Sequence, residues 1–200
     1  MTEWVLVGVL LVVLAGVALL RLAARVDRLH RTVLRSRVTL DAQLARRAAA
    51  ASELAACGAL DPAEALAVTD VALRAADAAP GGVVADGLEG FPEADVLTGA
   101  DARDAAADRG LVESELSRTL RAVLGEPADR AELAADPRAA EPLERLEHAW
   151  YRLQLARRFH NAHVEQVRRL RTDPVVRVFH LAGRAPLPEP FDMDDVLPQR

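Results

Sequence analysis

The chain has no lysine, a single cysteine and few aromatic residues, and each shortage narrows the class of protein it can be. All 25 basic residues are arginine, a skew typical of GC-rich codon usage, so we attach no mechanism to it. The lone Cys57 cannot form an internal disulfide and favours a reducing compartment. Because 51% of the residues are apolar and only 4% aromatic, with Ala and Leu abundant, the composition favours one helical domain over a sheet.

The sequence also lacks the features of a nucleic-acid binder and of the common catalytic sites. A net charge of −5 argues against nucleic acid as a partner, because such proteins need a basic surface to displace counterions from phosphates. The motifs GxGxxG, Walker A, HExxH and GxSxG do not occur. We therefore predict a protein that is not an enzyme and that needs no cofactor.

A long run of apolar residues occupies positions 4–20. At ~1.5 Å per residue the run is slightly shorter than a ~30 Å hydrocarbon core, but residues 22–24 extend it and Arg21 can snorkel. A cleaved signal peptide would carry positive charge before its apolar run, whereas here only Glu3 and the terminal amine precede it and six arginines follow closely. We predict a retained transmembrane anchor over residues 1–24, with Trp4, Leu20 and Arg21 at its ends.

The charges around this run predict an orientation and the nearest partners. Arginines close to a transmembrane end resist translocation, so the soluble domain is expected in the cytoplasm and the N-terminus outside a bacterial cell membrane. Residues 21–47 hold eight arginines against two aspartates, and this block can approach anionic lipid headgroups or complement the acidic stretch 53–147. The predicted partners are the lipid bilayer and other membrane or cytoplasmic proteins, and a homo-oligomer is left open.

Apolar residues recur at helical spacing through most of the remaining chain and predict an all-α fold. We expect an N-terminal transmembrane helix followed by an antiparallel bundle of three to four helices over residues 25–182. The expected helices are 26–56, 62–79, 101–124 and 142–172, and whether the second continues the first or turns back stays open.

The apolar stripes of these helices define an expected core and the segments outside it. Leu66, Leu73 and Leu111 belong to the predicted stripes, and Trp150 lies in the middle of the near-heptad stripe of the last long helix. Residues 129–141 are ambiguous and are expected to hold one short turn of helix, while the apolar stretch 175–181 is expected to lie across the bundle. A Gly-rich loop at about 80–100 and a Pro-rich irregular tail over 183–200 complete the prediction.

Two short motifs lie on the first and the last of the predicted soluble helices. The first is QLARR at 43–47 and the second is LARRFHNAHVEQV at 155–167, with Pro-Phe-Asp at 190–192 near the end. A chain with these motifs in this order after a membrane helix resembles the LemA family of bacterial single-pass membrane proteins. It is similar to a divergent member of that family. The matching positions are Gln43, Leu44, Arg46, Arg47, Ala156, Arg157, Asn161 and Val164. The resemblance implies a helical bundle on a single-pass anchor and brings no established activity or cofactor.

Three polar residues are left as candidates for chemistry or for packing specificity. His160 and His163 have a spacing that two metal ligands can use, but arginines surround them and no third ligand is evident, so the sequence favours no metal site. Asn161, the only asparagine, is expected to hydrogen-bond across helices and fix their register.

The favoured function is a membrane-anchored interaction or scaffold protein. The alternative is a regulatory or accessory subunit of a membrane-associated enzyme. A metal-dependent enzyme that uses the helix carrying His160 and His163 is a less favoured alternative.

Overall fold

The computed structural model describes residues 2–78, 99–183 and 187–197, and the side chains of all of these except 99–107. Over these residues the chain is helical and contains no strand, so the all-α prediction is confirmed. The helices are α1 (Thr2–Ala56), α2 (Pro62–Asp77), α3 (Gly99–Leu124), α4 (Pro127–Ala135), α5 (Ala140–Arg171) and α6 (Pro174–Val178). The predicted Gly-rich loop lies almost entirely outside the described residues.

Helix α1 is continuous over 55 residues and joins the apolar run to the first soluble helix. It contains no proline, and its last glycine is Gly16, so nothing beyond that position weakens the helical hydrogen bonding. The most apolar stretch of α1 is fully exposed, which excludes the core of this chain as its environment. Within the described residues, α1 is the helix long and apolar enough to cross a membrane, a property that an N-terminal signal sequence shares.

The chain turns back after α1, which answers the question that the sequence left open. Gly58 ends the helix with a φ of +74°, a conformation that costs glycine little. Asp61 then caps α2, because its side chain accepts a hydrogen bond from the Ala63 amide at 2.9 Å while Pro62 occupies the first helical position. Helix α2 packs against α1 and does not prolong it.

The predicted apolar stripes are wrong at three leucines. Leu66, Leu73 and Leu111 are 72%, 54% and 67% exposed. The buried face of α2 is formed by Val68, Val71, Ala72 and Ala75, which recur at helical spacing, so Leu66 and Leu73 fall outside it. These four residues lie in one apolar cluster with Ala48, Ala51 and Ala55 of α1.

Helix α5 lies along α1 and meets earlier residues of it as the chain proceeds. Near its start, Arg145 is 3.3 Å from Glu53, and further on the Nδ1 atom of His160 is 3.0 Å from the hydroxyl of Ser36. Towards its end, Val164 and Val167 share a buried cluster with Val33 of α1. Trp150 is buried at the centre of α5, as its position in the stripe predicts.

Two shorter helices flank α5. The stretch that the sequence left ambiguous contains the nine-residue helix α4, longer than the single turn expected. Helix α6 follows α5 and buries Val176, but Val178 and Phe179 are exposed. The expectation that residues 175–181 pack across the other helices is therefore wrong for most of that stretch.

Residues 187–197, which we call the C-terminal segment, have no regular secondary structure and pack against α3 and α5. Phe191 and Met193 are buried and cluster with Leu40, Leu44 and Leu153. The segment therefore supplies part of the apolar core although it contributes no helix.

Candidate functional site

The centre of the packed helices holds a fully buried ion pair between α1 and α3. The guanidinium of Arg47 lies 2.7 Å from the carboxylate of Glu113, and both side chains are 0% exposed. Arg47 also donates to the hydroxyl of Ser117 at 2.6 Å and to the main-chain oxygen of Glu113 at 2.9 Å. Burial lowers the pKa of Arg47, and the neighbouring Glu113 carboxylate acts in the opposite direction. The Nε atom of Arg47 and one carboxylate oxygen of Glu113 are buried without a hydrogen-bond partner among the described residues, so each charge depends on the other for its compensation.

A second ion pair, between Arg109 and Asp41, extends this cluster towards the N-terminus of α1. Arg109 lies 3.2 Å from the Asp41 carboxylate and 3.8 Å from that of Glu113. The pKa of Asp41 is raised to about 6, because desolvation outweighs the stabilising positive charges of Arg109 and Arg37. Asp41 is therefore a carboxylate that takes up a proton at mildly acidic pH.

Trp150 connects the buried ion pair to the C-terminal segment. The guanidinium of Arg47 stacks over its indole ring at 5.6 Å from the ring centroid, a cation–π contact shielded from water. The indole nitrogen donates to the main-chain oxygen of Asp195 at 3.1 Å, and the amide of Gln154 donates to the same oxygen at 2.6 Å. Trp150 therefore lies between the C-terminal segment and the buried guanidinium of Arg47.

Two aspartates of the C-terminal segment form ion pairs with α3 and α5. Asp195 accepts two hydrogen bonds from Arg157 on α5, both at 2.8 Å, in a bidentate arrangement. Asp194 pairs with Arg121 on α3 through both of its oxygens. The Arg121 guanidinium lowers the pKa of Asp194 below its usual value. Asp194 is therefore held as a charged ligand of α3.

Side chains of the helices also bind the main chain of the segment. The Asn161 amide donates to the carbonyl of Phe191 at 3.0 Å, and its oxygen accepts from the Phe191 N–H at 2.9 Å. Ser114 accepts from the N–H of Asp194 at 3.0 Å, and Arg168 donates to the carbonyl of Pro188 at 3.1 Å. Asn161 therefore binds the C-terminal segment, where the sequence led us to expect a bond across helices.

Gly110 allows the segment to approach the axis of α3. A Cβ atom at this position would lie 2.7 Å from the main-chain oxygen of Asp192, closer than real contacts permit. Glycine inside a helix costs about 1 kcal/mol relative to alanine. The close approach of the segment gives that cost a structural reason.

Most of the family-motif positions lie around this site. Arg157 and Asn161 bind the segment, Arg47 forms the buried ion pair, and Leu44 and Ala156 contribute to the apolar cluster under Phe191 and Met193. Gln43 and Val164 are buried, and Arg46 is exposed. The motif residues therefore come together mainly as a packing and docking surface.

His160 and His163, the two histidines with a spacing that metal ligands can use, both lie on α5. His160 is buried against Ser36, and burial, followed by the neighbouring His163 and Arg37, lowers its pKa to about 4. Among the described residues, no group of three or more His, Cys, Asp or Glu side chains is placed to hold a metal ion. The described residues therefore supply no third ligand for the alternative of a metal-dependent enzyme.

The partners of the motif arginines escaped the sequence analysis. Glu113 and Asp195, the partners of Arg47 and Arg157, look like surface carboxylates in the sequence, because each lies far along the chain from its arginine. A signal for the segment does exist, since Phe191 and Met193 alternate with Asp192 and Asp194, a pattern suited to an extended amphipathic peptide. Comparison with protein-family models, curated proteins and solved structures finds no match to this chain.

Proposed function

We propose that this chain is a membrane-anchored interaction or scaffold protein without catalytic activity of its own, and a divergent relative of the LemA family. Two observations support the architecture: α1 carries an exposed apolar stretch long enough to span a bilayer, and α2 and α5 both pack along its other half. In this proposal the soluble helices form an antiparallel bundle. The pairings of Arg145 with Glu53 and of His160 with Ser36 support it.

The surface that binds partners in this proposal is the groove between α3 and α5 that the C-terminal segment occupies. The main observation behind this proposal is that the segment is bound in the way a peptide ligand is bound. Side chains of the helices hydrogen-bond to its main chain, two of its apolar side chains are buried, and two of its aspartates form ion pairs with arginines. The expected partner is an extended acidic segment with an aromatic residue and a methionine two positions apart. The chain's own segment occupies the groove in competition with it.

Charge complementarity defines what the groove accepts. With the segment in place, Arg47, Arg109, Arg121 and Arg157 meet four carboxylates, those of Glu113, Asp41, Asp194 and Asp195. Withdrawal of the segment leaves these four arginines with two carboxylates and uncovers the apolar patch under Phe191. An emptied groove therefore attracts an acidic, amphipathic peptide.

The test measures binding of a fluorescent peptide with the sequence of residues 187–197 to the full chain in nanodiscs. A variant with Phe191→Ala and Asp195→Asn weakens the internal segment while leaving the groove intact. We expect it to bind the peptide at least ten-fold more tightly than the unaltered chain does, because the internal competitor is weakened. If this variant does not remain helical, Asp194→Asn provides a milder one, since Asp194 is partly exposed.

The control adds Gly110→Ala, which blocks the close approach of any main chain to α3 and should abolish peptide binding. A peptide of the same composition in scrambled order should not bind. Equal binding of both peptides, or no binding to a helical variant, would overturn the groove as a partner site.

The orientation of the proposal, with the helices in the cytoplasm and the N-terminus outside, is tested separately. Leu66 is strongly exposed on α2, so Leu66→Cys in a Cys57→Ser background gives one accessible thiol. A membrane-impermeant maleimide should label it only after the cells are lysed. Labelling in intact cells, at the level of a known external control, would place the helices outside.

A further inference from the structure

The exposed apolar face of α6 lies at the level where α1 enters the proposed membrane. Val178 and Phe179 are 69% and 56% exposed, although Val176 on the same short helix is buried. Both side chains would gain from burial in an apolar environment, and none of the described residues buries them.

The position of α6 along α1 follows from the contacts of α5. Val167 of α5 shares a cluster with Val33, and α5 continues by about one more turn, which brings its end to the level of Leu29. From Leu29 to Ala24, where the apolar stretch of α1 ends, is about 7 Å at 1.5 Å per residue. Since α6 follows the end of α5 directly, it begins about one headgroup layer from the hydrocarbon core.

The burial of α1 itself shows that packed structure reaches this level. Val26 is buried, whereas the residues of α1 before position 19 are exposed. A valine on a single helix is buried only when another element covers it. The packed part of the chain therefore extends to within two residues of Ala24.

We propose that α6 and the residue after it form a second membrane contact, in which Phe179 and Val178 insert into the lipid at the boundary between headgroups and acyl chains. Arg177 lies beside them, exposed, and its guanidinium can meet lipid phosphates while its stem follows the apolar side chains. The contact fixes the helices at a set height against the bilayer. This inference rests on the proposed anchoring by α1.

The test measures the depth of a fluorescent label in nanodiscs. Single cysteines in a Cys57→Ser background carry an environment-sensitive nitrobenzoxadiazole dye, which lipids bearing a nitroxide near the headgroup quench. Phe179→Cys should give blue-shifted emission and strong quenching. Leu66→Cys is the control, because Leu66 is an apolar residue even more exposed than Phe179, at 72% against 56%, on α2, which packs at the far end of α1. Its label should emit as in water.

A third label separates this inference from the anchor on which it rests. Val12→Cys lies in the apolar run and should be quenched by nitroxides placed deep in the acyl chains. If Val12 is quenched while Phe179 behaves like Leu66, the second contact is wrong and the anchor stands. If Val12 is not quenched, both fail.

A further variant checks that the native side chain drives the contact and that the dye alone does not. With the label at Val178→Cys, the change Phe179→Ser should remove most of the quenching seen when Phe179 is retained. Unchanged quenching would attribute insertion to the dye and overturn the assignment. Circular dichroism of every labelled variant should match that of the Cys57→Ser background, because the residues changed within this background are exposed.

Discussion

The far end and the middle of the packed region are stabilised in different ways. At the far end of α1, an apolar cluster of alanines, valines and leucines joins α1, α2, α3 and α5. Nearer the middle, α1, α3, α5 and the C-terminal segment meet around the buried charges of Arg47 and Glu113. The apolar end tolerates conservative changes of volume, whereas each charge in the middle depends on one specific partner. Specificity therefore concentrates in the middle of the molecule.

Trp150 belongs to both regions, and its removal has the largest expected effect. Trp150→Ala leaves a large cavity, takes the cation–π partner from Arg47 and removes the hydrogen bond to Asp195. We expect a loss of roughly 5 kcal/mol in the free energy of unfolding, at the upper end for an aromatic core residue. Chemical denaturation followed by circular dichroism measures it, and a loss below ~1 kcal/mol would place Trp150 outside the core.

Glu113 tests the middle region directly. Glu113→Gln removes the charge that compensates the buried Arg47 and should lower the free energy of unfolding by about 3 kcal/mol. Glu115→Gln is the matched control on the same helix, because Glu115 also pairs with an arginine, Arg74, at 2.7 Å but at the surface. No measurable change in stability is expected for the control. Equal effects of the two substitutions would remove the contrast between the regions.

The pH dependence of stability gives a third, smaller effect, from two groups that oppose each other. Asp41 has a pKa of about 6 in the folded chain, above its usual 3.8, so its contribution to stability is lost as the pH rises through 6. His160 has a pKa of about 4, below its usual 6.5, so its contribution is lost as the pH falls from 6.5 to 4. The two slopes should largely cancel between pH 4 and 6.5.

Single substitutions should reveal each slope. Asp41→Asn leaves a stability that rises with pH between 4 and 6.5, and His160→Gln leaves one that falls, each by on the order of 2 kcal/mol across the window. Thermal or denaturant unfolding at several pH values measures the difference between each variant and the unaltered chain. Parallel pH profiles for all three proteins would contradict the assignment of the two groups.

The smallest expected effect sharpens the description of the apolar end. Leu66→Ala should change the free energy of unfolding by less than about 0.5 kcal/mol, because the side chain is exposed. Val68→Ala, two residues further on the same helix, should cost roughly 2 kcal/mol because Val68 is fully buried. A larger loss of stability for Leu66→Ala than for Val68→Ala would support the apolar stripe that the sequence predicted for α2.

How far the sequence could predict these regions follows from the kind of contact involved. Periodicity located the long helices and the burial of Trp150, because those depend on local spacing. It missed the outward position of Leu66, because the apolar residues of α2 fit more than one helical face and packing decides which of them is buried. It also missed Glu113 and the C-terminal segment, whose partners lie 66 and 38 residues away in the chain for the pairs Arg47–Glu113 and Arg157–Asp195. The resemblance to the LemA motifs indicated Arg157 and Asn161 but did not indicate which residues they bind.

The continuity of α1 has a mechanical consequence. A helix of 55 residues is about 80 Å long, and no proline, and no glycine beyond Gly16, offers a hinge between the apolar run and the packed helices. In an anchored chain, a change of 10° in the tilt of the span would therefore swing Ala56 by about 8 Å, since some 48 Å of helix extends beyond Ala24. Tilting is one way in which a membrane-spanning helix accommodates a change in bilayer thickness. The protein would thus convert a change in membrane thickness into a displacement of its far end.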